Sequence, residues 1–396
     1  PSPPSSPTPA KPAAKAPAFA PLSQDPRPTL HPDSFVATLR AADRYLQIAE
    51  NGGWPALPAS ARLKRGDGGP LVDALRRRLV LTEDLAPDLP RSDAFDGAVE
   101  AAVKRFQARH GLPETGFVGA RTVEALNVPA ETRFRQLAAS AQRLAGSRFA
   151  FGERYVVVNI PAAAVEAVEK GEVVRRYVAV VGKKDRPSPT VETRITNVNF
   201  NPTWTLPASI VKKDVIPQMR KDPGYLAKMK IRILDANGLE VDPTRIDWST
   251  QRAADFTLRQ DPGVANSLGR IRIDMPNRHA VYLHDTPAQR LFARADRFHS
   301  SGCVRVGDVR AFVGWLLDGA IGPNGPWSAR DIDAAIAGGE RLDVKLPKPV
   351  PVAWVYLTGY AGPDGTVHFR DDVYGLDRTE PPPLAPDAAV TSALPR

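Results

Sequence analysis

Hydrophobic positions change their spacing near residue 150, and this change divides the chain into a helical first part and a strand-rich second part. In the first part apolar residues recur every three or four positions, which is typical of helices with one buried face. In the second part β-branched runs such as 155–160 and 177–182 are bounded by turn residues, which is typical of strands. The pattern therefore predicts a multidomain α+β protein.

The first part is predicted to begin with a helical segment within residues 31–60. A helix over 34–50 would carry Phe35, Leu39, Leu46 and Ala49 near one face, and the sequence Asn-Gly-Gly at 51–53 would end it. A further amphipathic helix is predicted within residues 129–150, closed by a glycine at position 146. It would connect the first part of the chain to the second.

A compact unit of three short helices is predicted between these segments, over residues 61–128. Pro70 suits the first turn of a helix, and the inward positions of the unit recur at helical spacing. The runs L-K-R-G-D-G-G-P, A-V-K-R-F-Q-A-R-H-G-L and T-G-F-V-G-A-R-T resemble the peptidoglycan-binding type 1 module. We interpret these motifs as determinants of the fold and assign no ligand residue there. His110 is interpreted as a helix-capping residue.

Composition and charge exclude only a few classes of protein. The net charge is +9, from 53 Lys and Arg against 44 Asp and Glu, which suits an anionic partner. No basic helix with base-reading residues and no RNP-like strand is visible, so nucleic acid is not an expected partner. No apolar run is long enough to span a bilayer. Proline is concentrated toward the ends, and residues 1–30 and 379–396 are expected to be disordered.

The sharpest candidate chemistry involves the only cysteine, Cys303, and a histidine nineteen positions before it. Cys303 has no partner for an intramolecular disulfide, and no CxxC pair is present to hold zinc. Its setting, Ser300-Ser301-Gly302, is small, polar and flexible, as a nucleophile on a turn requires. His284, at the end of a short apolar run, would be the base. The alternative is a buried structural cysteine and an unrelated histidine.

The segment V-Y-L-H-D-T-P, followed after a spacer by S-x-G-C-V-R-V, resembles the signature of L,D-transpeptidases with a YkuD-type catalytic domain. The resemblance extends back to Tyr155, and it is greatest to the large-loop periplasmic branch of that family. It implies a mainly β catalytic domain over 151–345, with a lid insertion at about 209–256. Residues 346–378 would be a C-terminal β extension. One position departs from the family, which usually has histidine where this chain has Ser301.

The resemblance implies that the Cys303 thiolate attacks the L–D bond of a tetrapeptide stem and releases D-alanine. A diaminopimelate amine would then take the acyl group and form a 3→3 cross-link. His284 is the implied base, and a thiolate–imidazolium pair would lower the pKa of the thiol. Ser300 or a backbone carbonyl would orient the imidazole, and the carbonyl is the favoured choice. His299 is the competing base, interpreted as a structural or surface residue.

Other residues are predicted to bind the substrate or the oxyanion. Strand alternation places Tyr282 on the face of His284, where its hydroxyl would assist the oxyanion. The backbone N–H groups of Gly302 and Cys303 are natural donors to it, and substrate contact near Ser301 is left open. Arg305 would pair with a stem carboxylate or form a structural ion pair. Trp204 is predicted at the edge of the cleft.

These features predict a periplasmic, exported cell-wall enzyme whose partner is the peptidoglycan stem peptide. Neither a metal nor a cofactor is expected, because no metal-binding motif appears, and a carbapenem would form an adduct on Cys303. Two alternatives stay open: an acyl-enzyme resolved by water or a protein amine, and a catalytically lapsed wall-binding scaffold. A papain-like protease is disfavoured, because the context of Cys303 differs and the histidine precedes the cysteine.

Overall fold

The structure is a computed structural model of the 396-residue chain and describes residues 22–88 and 92–377. The first part of the described chain is helical, as the periodicity predicts. Its helices are α1 (Ser34–Glu50), α2 (Pro70–Leu81), α3 (Gly97–Arg109), α4 (Ala120–Asn127) and α5 (Ala130–Ala145).

Helices α2, α3 and α4 surround one small core, which agrees with the sequence prediction of a three-helix unit. Pro70 occupies the first turn of α2, where its missing N–H costs no hydrogen bond. The side chains at the predicted inward positions of the unit are at most 2% exposed: Val72, Leu75, Leu79, Phe95, Val99, Ala102, Phe106, Val118, Val123 and Leu126.

The predicted inner face of α1 is wrong, although the bounds of the helix are as expected. Phe35 and Leu39 are 39% and 43% exposed, whereas Ala41, Ala42 and Tyr45 are buried. α1 lies closely against α5, and small residues at the contact let the two helices approach. Phe35 and Leu39 therefore face outward, while Tyr45 is buried with the small residues.

The second part of the chain forms a nine-stranded sheet whose order is β11-β3-β12-β10-β9-β4-β15-β1-β2. Strand β2 also pairs with β3, so eight of these strands close into a barrel and β11 extends from β3. The strands are β1 (Arg154–Asn159), β2 (Ala164–Glu169), β3 (Glu172–Gly182), β4 (Val191–Phe200), β9 (Ile271–Asp274), β10 (Leu283–His284), β11 (Phe298–Ser300), β12 (Val304–Val306) and β15 (Leu342–Val355).

Strand β15 corrects the predicted boundary at residue 345 and the predicted β extension after it. It runs through that boundary and lies inside the sheet, antiparallel to β4 and parallel to β1. Its side chains Val352 and Trp354 belong to the main core. Residues 346–355 are therefore part of the barrel, because a strand paired on both sides cannot be an addition at an edge.

The remaining elements pack around or follow the barrel. Helix α9 (Val309–Leu316) buries Phe312 and Val313 against the barrel core, as its apolar pattern indicates. The others are a short hairpin, β13 (Ile321–Gly322) and β14 (Gly325–Pro326), helix α10 (Ala329–Gly338), and a terminal hairpin, β16 (Gly359–Ala361) and β17 (Val367–Phe369).

Residues 204–260 form the insertion that we call the lid. It has its own four-stranded sheet and its own apolar core, so it is a small folded unit rather than an extended loop. It is slightly longer at both ends than the predicted 209–256. Its elements are β5 (Trp204–Thr205), α6 (Ala208–Ile210), a π-helical turn (Val211–Val215), α7 (Ile216–Lys221), α8 (Tyr225–Lys228), β6 (Ile231–Leu234), β7 (Glu240–Val241) and β8 (Thr257–Gln260).

The predicted disordered segment 1–30 is corrected at its end. Thr29 donates hydrogen bonds from its N–H and hydroxyl to the buried Glu166 of β2, at 2.8 and 2.9 Å. Leu30 is 2% exposed, and its carbonyl accepts a hydrogen bond from Tyr155. This part of the chain is thus bound to the sheet. Residues 1–21 and the predicted tail 379–396 lie outside the described residues.

The three-helix unit is joined to the second part of the chain by polar and aromatic contacts. Arg109 of α3 donates to the Val367 carbonyl of the terminal hairpin, and Arg370 donates to the Arg109 carbonyl. The His110 ring stacks between Phe106 and Phe369. Among residues 22–88 and 92–377, no helix has the length and hydropathy needed to cross a bilayer.

Candidate active site

The sheet places the predicted nucleophile and base on neighbouring strands. Strand β10 is parallel to β12, with Leu283 opposite Val304, and both of these side chains are completely buried. Alternation then directs the residues on either side of them to the other face of the sheet. Four predicted site residues share that face: Tyr282, His284, Cys303 and Arg305.

The cysteine turn, residues 300–303, is held by hydrogen bonds from its own serine. Ser300 Oγ donates to the Cys303 carbonyl at 2.5 Å and accepts from the Gly302 N–H at 3.2 Å. Gly302 has φ +118°, a conformation that only glycine adopts without strain. Ser300 thus shapes the turn, and its hydroxyl is not the partner of the imidazole.

A backbone carbonyl orients His284, as the sequence analysis favours. Its Nδ1 lies 2.5 Å from the Asp285 carbonyl oxygen, which indicates that Nδ1 carries the proton and Nε2 has the free lone pair. The Asp285 carboxylate is turned away and accepts from the Arg270 N–H at 2.8 Å. This agrees with the strand alternation used in the prediction.

The expected thiolate–imidazolium pair is not what the structure shows. Burial first, and then the charge of Arg305, lower the pKa of His284 to about 3. Burial also raises the pKa of the Cys303 thiol, and no hydrogen bond joins Cys303 to His284 among the described residues. The resting pair is therefore a neutral thiol and a neutral imidazole, because burial penalises the charged form of each.

Tyr282 lies between the thiol and the lid. Its backbone and its hydroxyl both stabilise a negative charge on the Cys303 sulfur and so oppose the raised pKa of the thiol. The pKa of Tyr282 is raised, by burial first and then by Cys303, while Trp204 acts in the opposite direction. Trp204 is half-buried at the start of the lid, and its predicted place at the edge of a substrate cleft stays a prediction.

Two arginines surround the thiol with positive charge. Arg305 is directly opposite His284 on β12, and it forms no salt bridge with any carboxylate of the described chain. Its Nε is buried without a partner, which does not support the alternative of a structural ion pair. Arg272 of β9 is paired with His284 in the sheet, and its guanidinium lies 4.4 Å from the centre of the Tyr282 ring.

Of the two backbone N–H groups predicted to donate to the oxyanion, only that of Cys303 is available. The Gly302 N–H is occupied by Ser300 Oγ, whereas the Cys303 N–H has no hydrogen-bond partner in the part of the chain that the structure describes. Ser301 is exposed and accepts a hydrogen bond from Arg186 at 3.1 Å. His299, the competing base, lies 3.1 Å from the Asp296 carbonyl through its Nε2, consistent with the structural role expected of it.

Sequence reasoning did not find Arg272 and Arg186. The alternation Ile271-Arg272-Ile273-Asp274 is visible in the sequence, but it does not show that β9 lies beside β10. Two basic residues of the lid bind groups within the lid itself. Arg220 binds the Trp248 and Ser249 carbonyls, and Lys228 pairs with Asp222.

Within the described ranges, no group of three or more His, Cys, Asp and Glu residues is arranged to hold a metal ion. The chemical groups at hand are a partly exposed thiol, a neutral imidazole with an unprotonated Nε2, a tyrosine hydroxyl, a free backbone N–H and an unpaired guanidinium. This set can perform an acyl transfer through a thioester, since it has a nucleophile, a proton acceptor and an oxyanion donor.

Comparison with known proteins assigns both parts of the chain. Residues 153–324 match the family described as the L,D-transpeptidase catalytic domain, YkuD. Residues 68–126 match the family described as "Putative peptidoglycan binding domain". A Haemophilus influenzae protein named "Putative L,D-transpeptidase" is 32% identical over 224 residues, which are 56% of this chain and 44% of that protein. The match thus spans less than half of that relative.

Two solved structures are also similar. An L,D-transpeptidase of Xylanimonas cellulosilytica is 19% identical and covers 76% of this chain and 100% of its own, with a TM-score of 0.21. An L,D-transpeptidase of Stackebrandtia nassauensis is 13% identical and covers 76% and 97%, with a TM-score of 0.28. Scores this low add nothing to the family matches. Residues 153–324 are therefore similar to the YkuD-type L,D-transpeptidase catalytic domain, and residues 68–126, which precede them, are similar to the peptidoglycan-binding type 1 module.

Proposed function

We propose that this chain is a peptidoglycan L,D-transpeptidase of the cell wall, working in the periplasm on tetrapeptide stems. The observation that carries the proposal is the single face of β10 and β12 that presents Cys303, His284, Tyr282 and Arg305 within a domain of this family. The preceding module would hold the enzyme on the wall polymer.

The first step is acylation of Cys303. The thiol loses its proton to Nε2 of His284 as sulfur attacks the carbonyl between the third and fourth residues of the stem. Because both groups are neutral at rest, this transfer would accompany the attack rather than precede it. Tyr282 and the two arginines favour negative sulfur in that step. The Cys303 N–H would donate to the oxyanion.

The tetrahedral intermediate then breaks its C–N bond, and His284 returns the proton to the departing D-alanine amine. A thioester on Cys303 remains. In the second step the side-chain amine of a diaminopimelate on another stem attacks the thioester, and its proton passes through His284 to the leaving sulfur. The products are a 3→3 cross-link and the free thiol, so atoms and charge balance over the cycle.

Arg305 suits the role of a carboxylate anchor. It is a half-buried cation whose Nε is buried without a partner among the described residues, and its burial lowers its pKa. A stem carboxylate would supply the missing partner as a charge-assisted pair. This placement would also leave the carboxylate on the face that carries Cys303.

The test is the intact mass of the protein after incubation with a carbapenem and, separately, with a disaccharide-tetrapeptide. The proposal expects a covalent adduct that is absent from Cys303→Ala, and a cross-linked dimer that lacks one D-alanine. An adduct accompanied only by a tripeptide product would show that the acyl-enzyme is hydrolysed by water. Stem peptide attached to an added acceptor protein would show transfer to a protein amine. If neither an adduct nor a product were detected, the result would favour a catalytically inactive scaffold that binds the wall.

A further inference from the structure

The cysteine turn is supported from behind by residues 183–188, which we call the supporting loop. The Lys183 N–H donates to the Ser300 carbonyl at 3.1 Å, and Ser188 Oγ donates to the Gly302 carbonyl at 2.7 Å. Arg186 donates to Ser301 Oγ at 3.1 Å. Three consecutive residues of the turn are therefore each held by a different residue of the loop.

The close approach of the supporting loop has a cause in the backbone. A Cβ at Gly182 would lie 2.4 Å from the Arg186 carbonyl oxygen and 2.4 Å from the Ser188 nitrogen. Only glycine at this position lets the loop fold back on the strand that precedes it. The Gly182 N–H also donates to Ser188 Oγ at 2.9 Å, so the loop is fixed at both ends.

Arg186 has a second partner, and that partner belongs to the lid. Its guanidinium binds both carboxylate oxygens of Asp214, at 2.5 and 2.9 Å. Asp214 lies on the π-helical turn, where the neighbouring Val211 and Val215 are buried in the lid core. The carboxylate is thus carried by the folded lid, and the Arg186 side chain is only 14% exposed.

We propose that Arg186 is a positioning residue that couples the closed lid to the placement of the cysteine turn. With the lid in place, Asp214 holds the guanidinium where it donates to Ser301, next to the residue before Cys303. When the lid moves away, Arg186 loses its bidentate carboxylate and keeps only Asp185, 3.9 Å from its Nε, so the guanidinium is no longer held against Ser301 and the turn loses one of its three supports. This inference rests on the proposed function, because the turn it positions is that of the nucleophile.

The chemistry of the guanidinium makes the connection specific. A planar fork of donors can bind a carboxylate with two nitrogens and still direct a hydrogen to a third oxygen, whereas an ammonium is a point charge. Ser301 contributes only a hydroxyl acceptor here. We therefore expect Arg186→Lys to keep the charge of the loop but to lose the coupling.

The first experiment compares Asp214→Asn with Asp222→Asn. Both change an aspartate of the lid that pairs with a cation, but Asp222 pairs with Lys228 and has no contact with the supporting loop. We expect Asp214→Asn to slow acylation of Cys303 by a carbapenem about 5- to 30-fold, the range for losing one charge-assisted pair at a partly buried site. Asp222→Asn should remain within about 2-fold of the unchanged protein.

The pathway through the turn is tested by combining variants. If Asp214 acts through Arg186 and Ser301, then Asp214→Asn together with Ser301→Ala should slow acylation no more than Asp214→Asn alone, and Arg186→Lys should match it. Independent, multiplying effects would overturn the coupling. So would equal acylation rates for Asp214→Asn and Asp222→Asn.

Hydrogen exchange separates failure of this inference from failure of the proposed function. We expect the amides of residues 300–304 to exchange faster in Asp214→Asn than in Asp222→Asn, whether or not the protein is acylated. Faster exchange in a protein that no carbapenem acylates would retain the coupling and remove the transpeptidase proposal. Unchanged exchange in a protein that is acylated would remove the coupling alone.

Discussion

Two regions of this molecule each bury a histidine, and the two rings are nearly alike in their own chemistry. In the peptidoglycan-binding module, His110 Nδ1 lies 2.7 Å from the Phe106 carbonyl oxygen. In the catalytic domain, His284 Nδ1 lies 2.5 Å from the Asp285 carbonyl oxygen. Burial lowers the pKa of both, with arginines nearby adding to the effect. Each ring is thus held neutral with its proton on Nδ1, and the Nε2 of His110 is buried without a partner.

The difference lies in what surrounds each ring. His110 stacks on Phe106 with ring centres 3.8 Å apart and on Phe369 at 5.4 Å, so its neighbours have no proton to exchange. His284 lies 5.8 Å from the Tyr282 ring, and the strand beside it carries the thiol. A buried, neutral imidazole is therefore not evidence of a base. An acidic neighbour on the same face is what gives it that function.

Removing the thiol beside His284 should have the largest effect on activity of all the changes considered. Cys303→Ala should abolish carbapenem adducts and cross-linking, because no other residue of the face is a nucleophile of that kind. The thermal midpoint should change little, since the side chain is small and partly exposed. Residual cross-linking measured by product mass would contradict the proposed nucleophile.

Matched changes of the two histidines should separate their roles. His284→Gln should lower the rate of acylation by about 10²- to 10⁴-fold, the usual contribution of a general base. His110→Gln should leave that rate within a few-fold but destabilise the protein by about 1–3 kcal/mol, because it breaks a buried hydrogen bond and two ring contacts. Acylation kinetics measured on both variants report the catalytic role of each histidine, and denaturant unfolding reports its contribution to stability.

The opposite pattern would reverse the assignment. If His110→Gln stopped acylation while the fold was retained, the module would contribute to chemistry. If His284→Gln only lowered stability, the ring beside Cys303 would be structural.

The two histidines should affect the pH dependence of stability in the same way, but only His284 should affect the pH dependence of the acylation rate. A histidine whose pKa is lowered on folding binds its proton more readily in the unfolded chain. Stability should therefore be full above the unfolded value of about 6.5 and fall as pH drops toward the folded value. For His284 that folded value is about 3.

The rate of acylation should accordingly lack an acid limb near pH 6.5. His284 stays neutral down to about pH 3 in the folded protein, so it remains able to accept a proton there. Rates measured from pH 5 to 8, at temperatures where the fold is intact, check this. A fall with a midpoint near 6.5 that disappears in His284→Gln would mean that the imidazole titrates normally.

The same comparison shows which parts of the structure the sequence could predict. The module was predictable down to its core side chains, because helical periodicity is local and the apolar positions of α2, α3 and α4 report their own burial. α1 was predicted in its bounds but not in its face. Its burial depends on α5 and on the terminal hairpin, which lie far along the chain.

The sequence predicted the residue types of the candidate site, but not their protonation or the neighbours that surround them. Motif spacing indicated Cys303 and His284, and alternation indicated the shared face. Neither could show that burial leaves both neutral, that Arg272 comes from a third strand, or that Ser301 is bound by Arg186. Those facts depend on strand order and on a folded lid. Strand β15 was predicted as an added strand and not as part of the barrel for the same reason, since its partners in β4 and β1 lie about 140 to 200 positions before it.

Tyr282→Phe should give the smallest effect of this series. The hydroxyl is one of the groups near His284 that stabilise negative sulfur, together with the Tyr282 backbone and the charges of Arg272 and Arg305. Its loss should slow acylation about 3- to 10-fold, which corresponds to one hydrogen bond to a charged group that neighbouring arginines partly replace. The ring of Phe would keep the contact with Arg272, so the fold should be unchanged.

The pH dependence of thiol alkylation separates this role from an effect on the substrate. If the Tyr282 hydroxyl stabilises the thiolate, Tyr282→Phe should move the midpoint of Cys303 alkylation by iodoacetamide to higher pH, because the variant retains burial as the cause of the raised pKa and loses one group that opposes it. Trp204→Phe, changed at the other neighbour of Tyr282, should leave that midpoint in place. An unchanged midpoint in Tyr282→Phe, with slower acylation, would assign the hydroxyl to the oxyanion instead of the sulfur.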